Sequence, residues 1–355
     1  MDHLIVDALR DLLTGQCTPA VVRAIENEVV VPTGRSLAAN STQASSSAAQ
    51  LWAQIEETGF ADLLLPESAG GAGLALRDAF AVWDLLGQHA MPLPLAETML
   101  ARAWLAQAGL VVPQGAITLA PQLHGHGHGD VLVATSVRSA RVADWVLAGQ
   151  GDQLYLLSVA DAVLSPSPFV LDADLQWSAA ALAKAPSCAA PAPLLPAYAG
   201  LLSALLAGGL TATFEKTLQY ANDRQQFGRP IGKFQAIQHE LAVMAEHVSA
   251  GRMAAQIACE ADGIIAEPLK VAVGKARTSE AAVEVAALAH SVHGAIGFTT
   301  EFDLQLYTRR LHLWRQTAGS EGYWQLQAGQ ALLAADGMGL DVIRQITDST
   351  AAIPA

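Results

Sequence analysis

The sequence predicts a mostly α-helical protein interrupted by one small β domain, and three observations carry that prediction. Runs rich in Ala and Leu, with apolar residues at helical spacing, fill both ends of the chain. Between about Gly115 and Ala190 the pattern changes to short apolar runs separated by Gly, Asp, Pro and Ser, the signature of strands and turns. The 355 residues, 52% hydrophobic and only 15% charged, can bury the core of two or three structural units. The expected division is a helical segment 1–113, a β domain 114–190 and a second helical segment 191–355.

The opening MDHLIVDALRDLL places Ile5, Ala8, Leu9, Leu12 and Leu13 at helical spacing. Its acids among the apolar residues, and its lack of a basic start and cleavage site, set it apart from a signal peptide. A polar Ser/Ala/Thr stretch from Thr33 to Ala48 reads as a mobile connection or a polar helix ahead of a helix carrying Leu51, Trp52 and Ile55. In LLLPESAGGAG, Pro66 stops one element, and Gly70, Gly71 and Gly73 permit backbone conformations closed to other residues. The helix containing FAVWDLLGQHA follows, with Asp78 near its start to complement the positive end of the helix dipole.

The β runs are AITLA, VLVAT, DWVLAG and QLYLLSVA. Between two of them, HGHGHGD alternates His124, His126 and His128 with glycine. It reads as a flexible hairpin loop, because no Cys, Asp or Glu cluster prepares a metal site there. After the Pro-rich linker APSCAAPAPLLP the helical pattern returns. The uncharged stretch Ala197–Phe214 approaches membrane length, but Ala, Gly, Ser and Thr dilute its leucines, so a closely packed soluble helix is expected. The ending ITDSTAAIPA reads as a frayed tail.

A formal net charge of −13 argues against a nucleic-acid or anionic-membrane partner, since either would need a broad basic surface. Cys17, Cys188 and Cys259 lie far apart with no metal-ligand spacing, which fits a reduced, cytoplasmic protein and no metal.

The most informative stretch is YANDRQQFGRPIGKFQAIQHELAVM, from Tyr220 to Met244. A helix ends near Arg224, a loop crosses Gly228 and Pro230, and a helix starts near Phe234. An arginine and free amides at such a junction suit a pyrophosphate, and Phe227 and Phe234 offer apolar faces to a ring system. The string closely resembles the RxxFGxPIxxFQxxxxxLAxM signature of acyl-CoA dehydrogenases, which supplies part of the FAD site across a dimer interface. By that resemblance Arg224 contacts the flavin pyrophosphate, Gln226 and Phe227 lie near it, and Ile231, Phe234 and Gln235 line the adenine side.

A second segment, HSVHGAIGFTTEFDLQLYTRR (290–310), is similar to the family's HGGxGYTxE segment and the arginine-bearing helix after it. It carries over Ser291, Gly294 and Ala295 as contacts to the adenosine half of FAD and Gly297 as a turn residue; Ala295 stands where glycine is usual. A third, GFADLLLPESAGGAGLALRDAFAVWDLLG, resembles the family's N-terminal Pro-Glu-Gly-Gly segment. The resemblance implies the family's three-part fold: an N-terminal helical domain, a middle β domain and a C-terminal four-helix bundle.

The family removes the α-proton of an acyl-CoA thioester with a glutamate while the β-hydrogen leaves as hydride to the flavin. The common glutamate position reads Ala318 here, within Thr317–Ser320; the less common one, on the first long helix of the bundle, reads Tyr198. Tyrosine, with an ordinary pKa of about 10, is a poor base at neutral pH. The TEPxxGSD-like strand that holds the flavin ring in the family has no counterpart in ITLAPQLHGHGHGD.

The losses fall on the flavin-ring and base half, while the half that reaches a neighbour's FAD remains. That asymmetry resembles the glutamate-less subunit of heteromeric acyl-CoA dehydrogenases of bacterial sterol and steroid breakdown. It implies a second acyl-CoA dehydrogenase-like subunit in a two-plus-two assembly, with a homo-oligomer as the alternative. Competing readings are a self-sufficient dehydrogenase with a relocated base, for which Glu321, then Glu301 and Asp303, are nearest in sequence, a flavin monooxygenase, and a non-catalytic scaffold. Arg309, Arg310 and Arg315, on one helix with Trp314, are expected to serve structure. The acyl group is not legible.

Overall fold

A computed structural model of the chain describes residues 3–30, 46–126, 131–335 and 337–347. Most of the polar stretch after Thr33, His128 and the tail from residue 348 lie outside the described residues. The helices are α1 His3–Gln16, α2 Pro19–Val30, α3 Ser47–Glu57, α4 Leu76–Gln88, α5 Leu95–Gln107, α6 Ala179–Lys184 and α7 Leu194–Asp223. They continue as α8 Gln235–Ala258, α9 Pro268–His293, α10 Leu304–Gln316, α11 Glu321–Ala334 and α12 Gly339–Thr347. The strands are β1 Ile117–Ala120, β2 His124–His126, β3 Val131–Val137, β4 Trp145–Gln150, β5 Gln153–Ser158, β6 Val163–Pro166, β7 Ala173–Ser178 and β8 Ser187–Ala189; β9 Gln225–Gln226 and β10 Arg229–Pro230 lie within the last helical region. By contacts the chain divides into two compact units, Met1–Ala75 with Met91–Tyr198, and Leu76–Ala90 with Ala199–Ala355.

In the first unit the predicted helices form where the apolar spacing puts them. Leu9 and Leu13 of α1 are fully buried, and α3 buries Leu51, Trp52 and Ile55 behind an N-cap in which Ser46 Oγ accepts from the Ala49 amide. The glycine loop after Pro66 is obligatory at Gly71, where a Cβ would lie 2.2 Å from the Leu65 carbonyl oxygen. Helix α5 is buried through eleven consecutive positions, so its Glu97 and Arg102 are interior charges. Arg102 is matched by Glu56 at 2.8 Å, Asp62 at 2.9 Å and the Gly115 carbonyl at 3.1 Å.

The β region makes two four-stranded sheets, β1-β4-β5-β8 and β2-β3-β7-β6, with β1 parallel to β4 and the other pairs antiparallel. Their common core holds Leu123, Val137, Val146, Leu157, Leu175 and Trp177. Trp177 also donates its indole N–H to the Ser158 carbonyl at 2.9 Å, tying β7 to the end of β5. Two readings need correction. The start of HGHGHGD is not loop: His124–His126 is an edge strand whose backbone pairs with Val131–Val133. The Pro-rich linker holds β8, whose Ser187–Ala189 pairs with Gln153–Tyr155 between flanking prolines.

In the second unit α4 crosses α7 at contact distances only glycine allows. A Cβ on Gly208 would sit 1.8 Å from the Asp84 carbonyl oxygen, and one on Gly87 2.1 Å from that of Leu205. Helix α7 runs unbroken for 30 residues. The hydroxyls of Ser203, Thr211, Thr213 and Thr217 donate to carbonyls four residues back, so these four groups are satisfied within the helix. Among the described residues two helices are long and apolar enough to cross a membrane, and the apolar window of α7 is 83% buried inside the protein, as a core helix requires. Helix α9 opens with Pro268 behind Glu267, whose carboxylate accepts from the amides of Leu269 and Lys270.

Candidate functional site

Between α7 and α8 the chain makes a two-residue hairpin, with β9 and β10 paired and Phe227 and Gly228 at its tip. Both tip residues have positive φ, 51° and 77°, the combination of a type I′ turn. Glycine adopts this freely, whereas for an aromatic residue it is strained. Phe227 is nonetheless 91% exposed, held at its edge by Phe234, over whose ring Arg229 stacks at 4.2 Å. Arg224, Gln226 and Gln235 are also exposed, Phe234 is half-buried, and Ile231 is buried as the anchor of the loop. The Ile231 amide closes the hairpin base on the Arg224 carbonyl at 2.8 Å.

The structure brings the two sequence motifs together through the last turn of α7 and the end of α9. Tyr220, one turn before Arg224, stacks on His293 with ring centroids 4.3 Å apart and donates to its carbonyl at 3.4 Å. His293 Nδ1 bonds the Ala289 carbonyl at 2.7 Å and burial lowers the imidazole's pKa, so the ring is neutral with its proton on Nδ1. Gly294 follows with φ 64°, and Ser291, Gly294 and Ala295 are all exposed. Ser291 Oγ donates to Glu240 at 3.2 Å. Gly297 packs tightly, since a Cβ there would lie 3.0 Å from that of His293.

Ala318 lies in the turn between α10 and α11, at φ 55°, followed by Gly319 at φ 96°. Lys275, fully buried on α9, donates from Nζ to the carbonyls of Trp314 at 3.0 Å, Arg315 at 2.9 Å and Gly319 at 3.0 Å, with Ser279 Oγ at 3.1 Å. These carbonyls include orphans of the α10 C-terminus, where a cation is favoured. Trp324 closes the turn from the other side by donating to the Ala318 carbonyl at 2.8 Å. Burial pushes the Lys275 ammonium down to about 7, against an opposing pull from Glu321.

Glu321, the first residue of α11, is bound by Arg315 at 3.0 Å. Asp303 lies 3.9 Å from Lys216, and Glu301 is exposed. Glu301 and Asp303 share the rim of a cavity of about 400 Å³ with Lys216, Asp223, Tyr220 and Phe302. Of the arginines on α10, Arg310 is buried and bonds the Leu306 carbonyl, Arg309 bonds Gln305, and Arg315 holds Glu321.

Tyr198 is buried in the first unit, 1% exposed, with its hydroxyl 3.4 Å from Glu97. Glu97 is fully buried and forms a close ion pair with Arg138, itself 3% exposed. Asp172 is buried nearby and accepts from the Ser139 amide at 2.9 Å. Burial, then the Glu97 charge, holds the Tyr198 phenol well above its ordinary pKa, so it stays protonated. The hydroxyl of Thr118 on β1 is spent on the Arg138 carbonyl at 2.6 Å.

Lys275, Glu97 and Arg138 carry no motif. The one signal that could have found Glu97 is an acid inside LPLAETMLARAWL, an otherwise apolar helix in which a charge needs a buried partner. Among the described residues no cluster of His, Cys, Asp and Glu is placed to hold a metal.

The family model for the acyl-CoA dehydrogenase C-terminal domain matches residues 198–333. The chain is 35% identical over 266 residues, 74% of its length and 80% of the relative's, to acyl-CoA dehydrogenase IpdE2 of Mycobacterium tuberculosis. Its fold matches the Tcur3481-Tcur3483 steroid ACAD with a TM-score of 0.75 at 23% identity, covering 93% of this chain and 97% of that one. It matches the ChsE4-ChsE5 complex from Mycobacterium tuberculosis with a TM-score of 0.74 at 22% identity, covering 94% and 98%.

Proposed function

The chain belongs to the acyl-CoA dehydrogenase family of FAD-dependent oxidoreductases acting on CH–CH bonds, and we propose that within it this chain completes a partner's FAD site and leaves the base to that partner. The observation that carries the reading is an asymmetry. The two places where the family keeps its glutamate hold Ala318, with no proton-accepting side chain, and a buried, protonated Tyr198. The segment that reaches outward is exposed and built.

The residues present fit one half of the cofactor. Arg224 would face the pyrophosphate, with Gln226 and Phe227 beside it. Ile231, Phe234 and Gln235 would line the adenine, and Ser291, Gly294 and Ala295 the adenosine backbone side. The flavin-ring half does not fit: all four residues of β1 are buried and its Thr118 hydroxyl is already committed within the chain. When bound, FAD supplies the hydride acceptor for the β-hydrogen of an acyl-CoA. This chain's part is to orient and desolvate the outer half of that cofactor, while proton abstraction falls to a carboxylate of the partner.

In this reading the assembly is two plus two, the protein is cytoplasmic, the division 1–113, 114–190 and 191–355 describes its organisation, and the substrate is a steroid-derived CoA thioester. The substrate rests on the relatives' names. A relocated base at Glu321 would first have to leave Arg315. Substituting Arg224→Ala in the complex tests the cofactor role. We expect flavin affinity to fall about 10- to 100-fold, the loss of a charge-assisted bond worth about 1.5–3 kcal/mol. Unchanged flavin retention would remove the role and favour a scaffold.

A further inference from the structure

A base at position 198 would have to come within hydrogen-bond reach of the carbon it deprotonates, so the space beside that side chain is where a thioester would lie. In this chain that space is protein. Tyr198 is 1% exposed, Glu97 0%, Asp172 1% and Arg138 3%. Four separate elements deliver them: α7, α5, the connection before β7 and the connection after β3. The last is held in place by Thr118, whose hydroxyl donates to the Arg138 carbonyl at 2.6 Å, and by Ser139, whose amide donates to Asp172 at 2.9 Å.

The chemistry of the filling matters as well as its volume. Apolar side chains would fill an interior with equal or better stability, because a buried ion pair barely repays its desolvation. An ion pair does what they cannot: it makes the space hostile to an acyl chain, which would have to strip Glu97 and Arg138 of each other.

We propose that Tyr198, Glu97 and Arg138 form a plug that closes this chain's own acyl site, so that an assembly containing it takes one acyl-CoA for each pair of unlike chains. This rests on the half-site reading of the cofactor and extends it from flavin to substrate.

The test is calorimetric titration with octanoyl-CoA and choloyl-CoA of the full chain, of its Tyr198→Ala variant and of the double variant Glu97→Ala/Arg138→Ala, each checked for native circular dichroism. Flavin content is read on the same samples, so failure of the half-site reading shows separately, as one FAD per chain. The expected result is no saturable binding by the unmodified chain and at least a tenfold gain in affinity in one variant. Stoichiometric binding by the unmodified chain overturns the plug, and loss of turnover in Glu97→Gln would then make Glu97 the base. A lack of binding in folded variants also overturns it, since closure would have another cause. Acyl-CoA bound per chain in the complex decides independently of any variant: one for two chains upholds the proposal, and one for each chain refutes it.

Discussion

Replacing Lys275 with Met isolates the clamp on the turn that carries Ala318. The substitution keeps an unbranched side chain one atom shorter and removes the donor to three carbonyls, those of Trp314, Arg315 and Gly319. Each acceptor left buried without a partner costs about 1–3 kcal/mol, and the variant is relieved of holding an ammonium in the interior. The net loss expected is about 2–4 kcal/mol, or a fall in Tm of about 5–15 °C for a unit of this size, read by calorimetry. The pH dependence gives a sharper signature. Folding lowers the lysine's pKa to about 7, so between there and its ordinary value near 10.5 the unfolded chain binds the extra proton. The burial penalty is therefore complete below pH 7 and is relieved as pH rises through that window, adding stability with a slope of up to about 1.4 kcal/mol per pH unit. That rise should be absent from Lys275→Met. A loss below about 1 kcal/mol, with an unchanged alkaline slope, would refute the clamp.

Two further perturbations separate structure from function. Arg138→Ala removes the ion-pair partner of the fully buried Glu97, so a loss of about 3–5 kcal/mol is expected by denaturant unfolding, whereas the double variant Glu97→Met/Arg138→Met should recover most of it; equal losses in both would show that the two side chains do not compensate one another. Phe227→Asn puts a residue that tolerates φ 51° at the hairpin tip, and should raise stability by about 0.5–1 kcal/mol while flavin retention in the complex falls several-fold. Unchanged retention would show that the exposed ring has no part in holding the cofactor.

The order of helices, strands and helices was legible because periodicity changes abruptly near Gly115 and again after the prolines near residue 191. Four strands were legible as apolar runs. Strands β6 and β8 were not, since an edge strand such as Val163–Pro166 or Ser187–Ala189 buries too little to leave a pattern, and β7 was missed because its inner Leu175 and Trp177 alternate with polar residues over only six positions. The close crossing of α4 and α7 was hidden for a different reason: Gly87 and Gly208 read alone as weak helix positions, and only their meeting explains them.

The segment from Arg224 to Gln235 stands out in the sequence because it is contiguous, forming one hairpin and one helix start. The polar cluster at Tyr198 does not. Glu97 and Arg138 are 41 residues apart, and Glu97 and Tyr198 are 101 apart, so only the fold joins them. Lys275 escaped likewise, its acceptors being backbone carbonyls about 40 residues away that carry no side-chain signature.

The measurement that reaches the central claim most directly is flavin per chain, by absorbance, on this protein alone and after co-expression with a dehydrogenase-like partner. A colourless protein alone, and an active flavoprotein with fewer than one FAD per chain in the complex, is the predicted result. One FAD per chain in the protein alone, with oxidation of an acyl-CoA, would contradict the account and return the search for the base to Glu321 and Glu97.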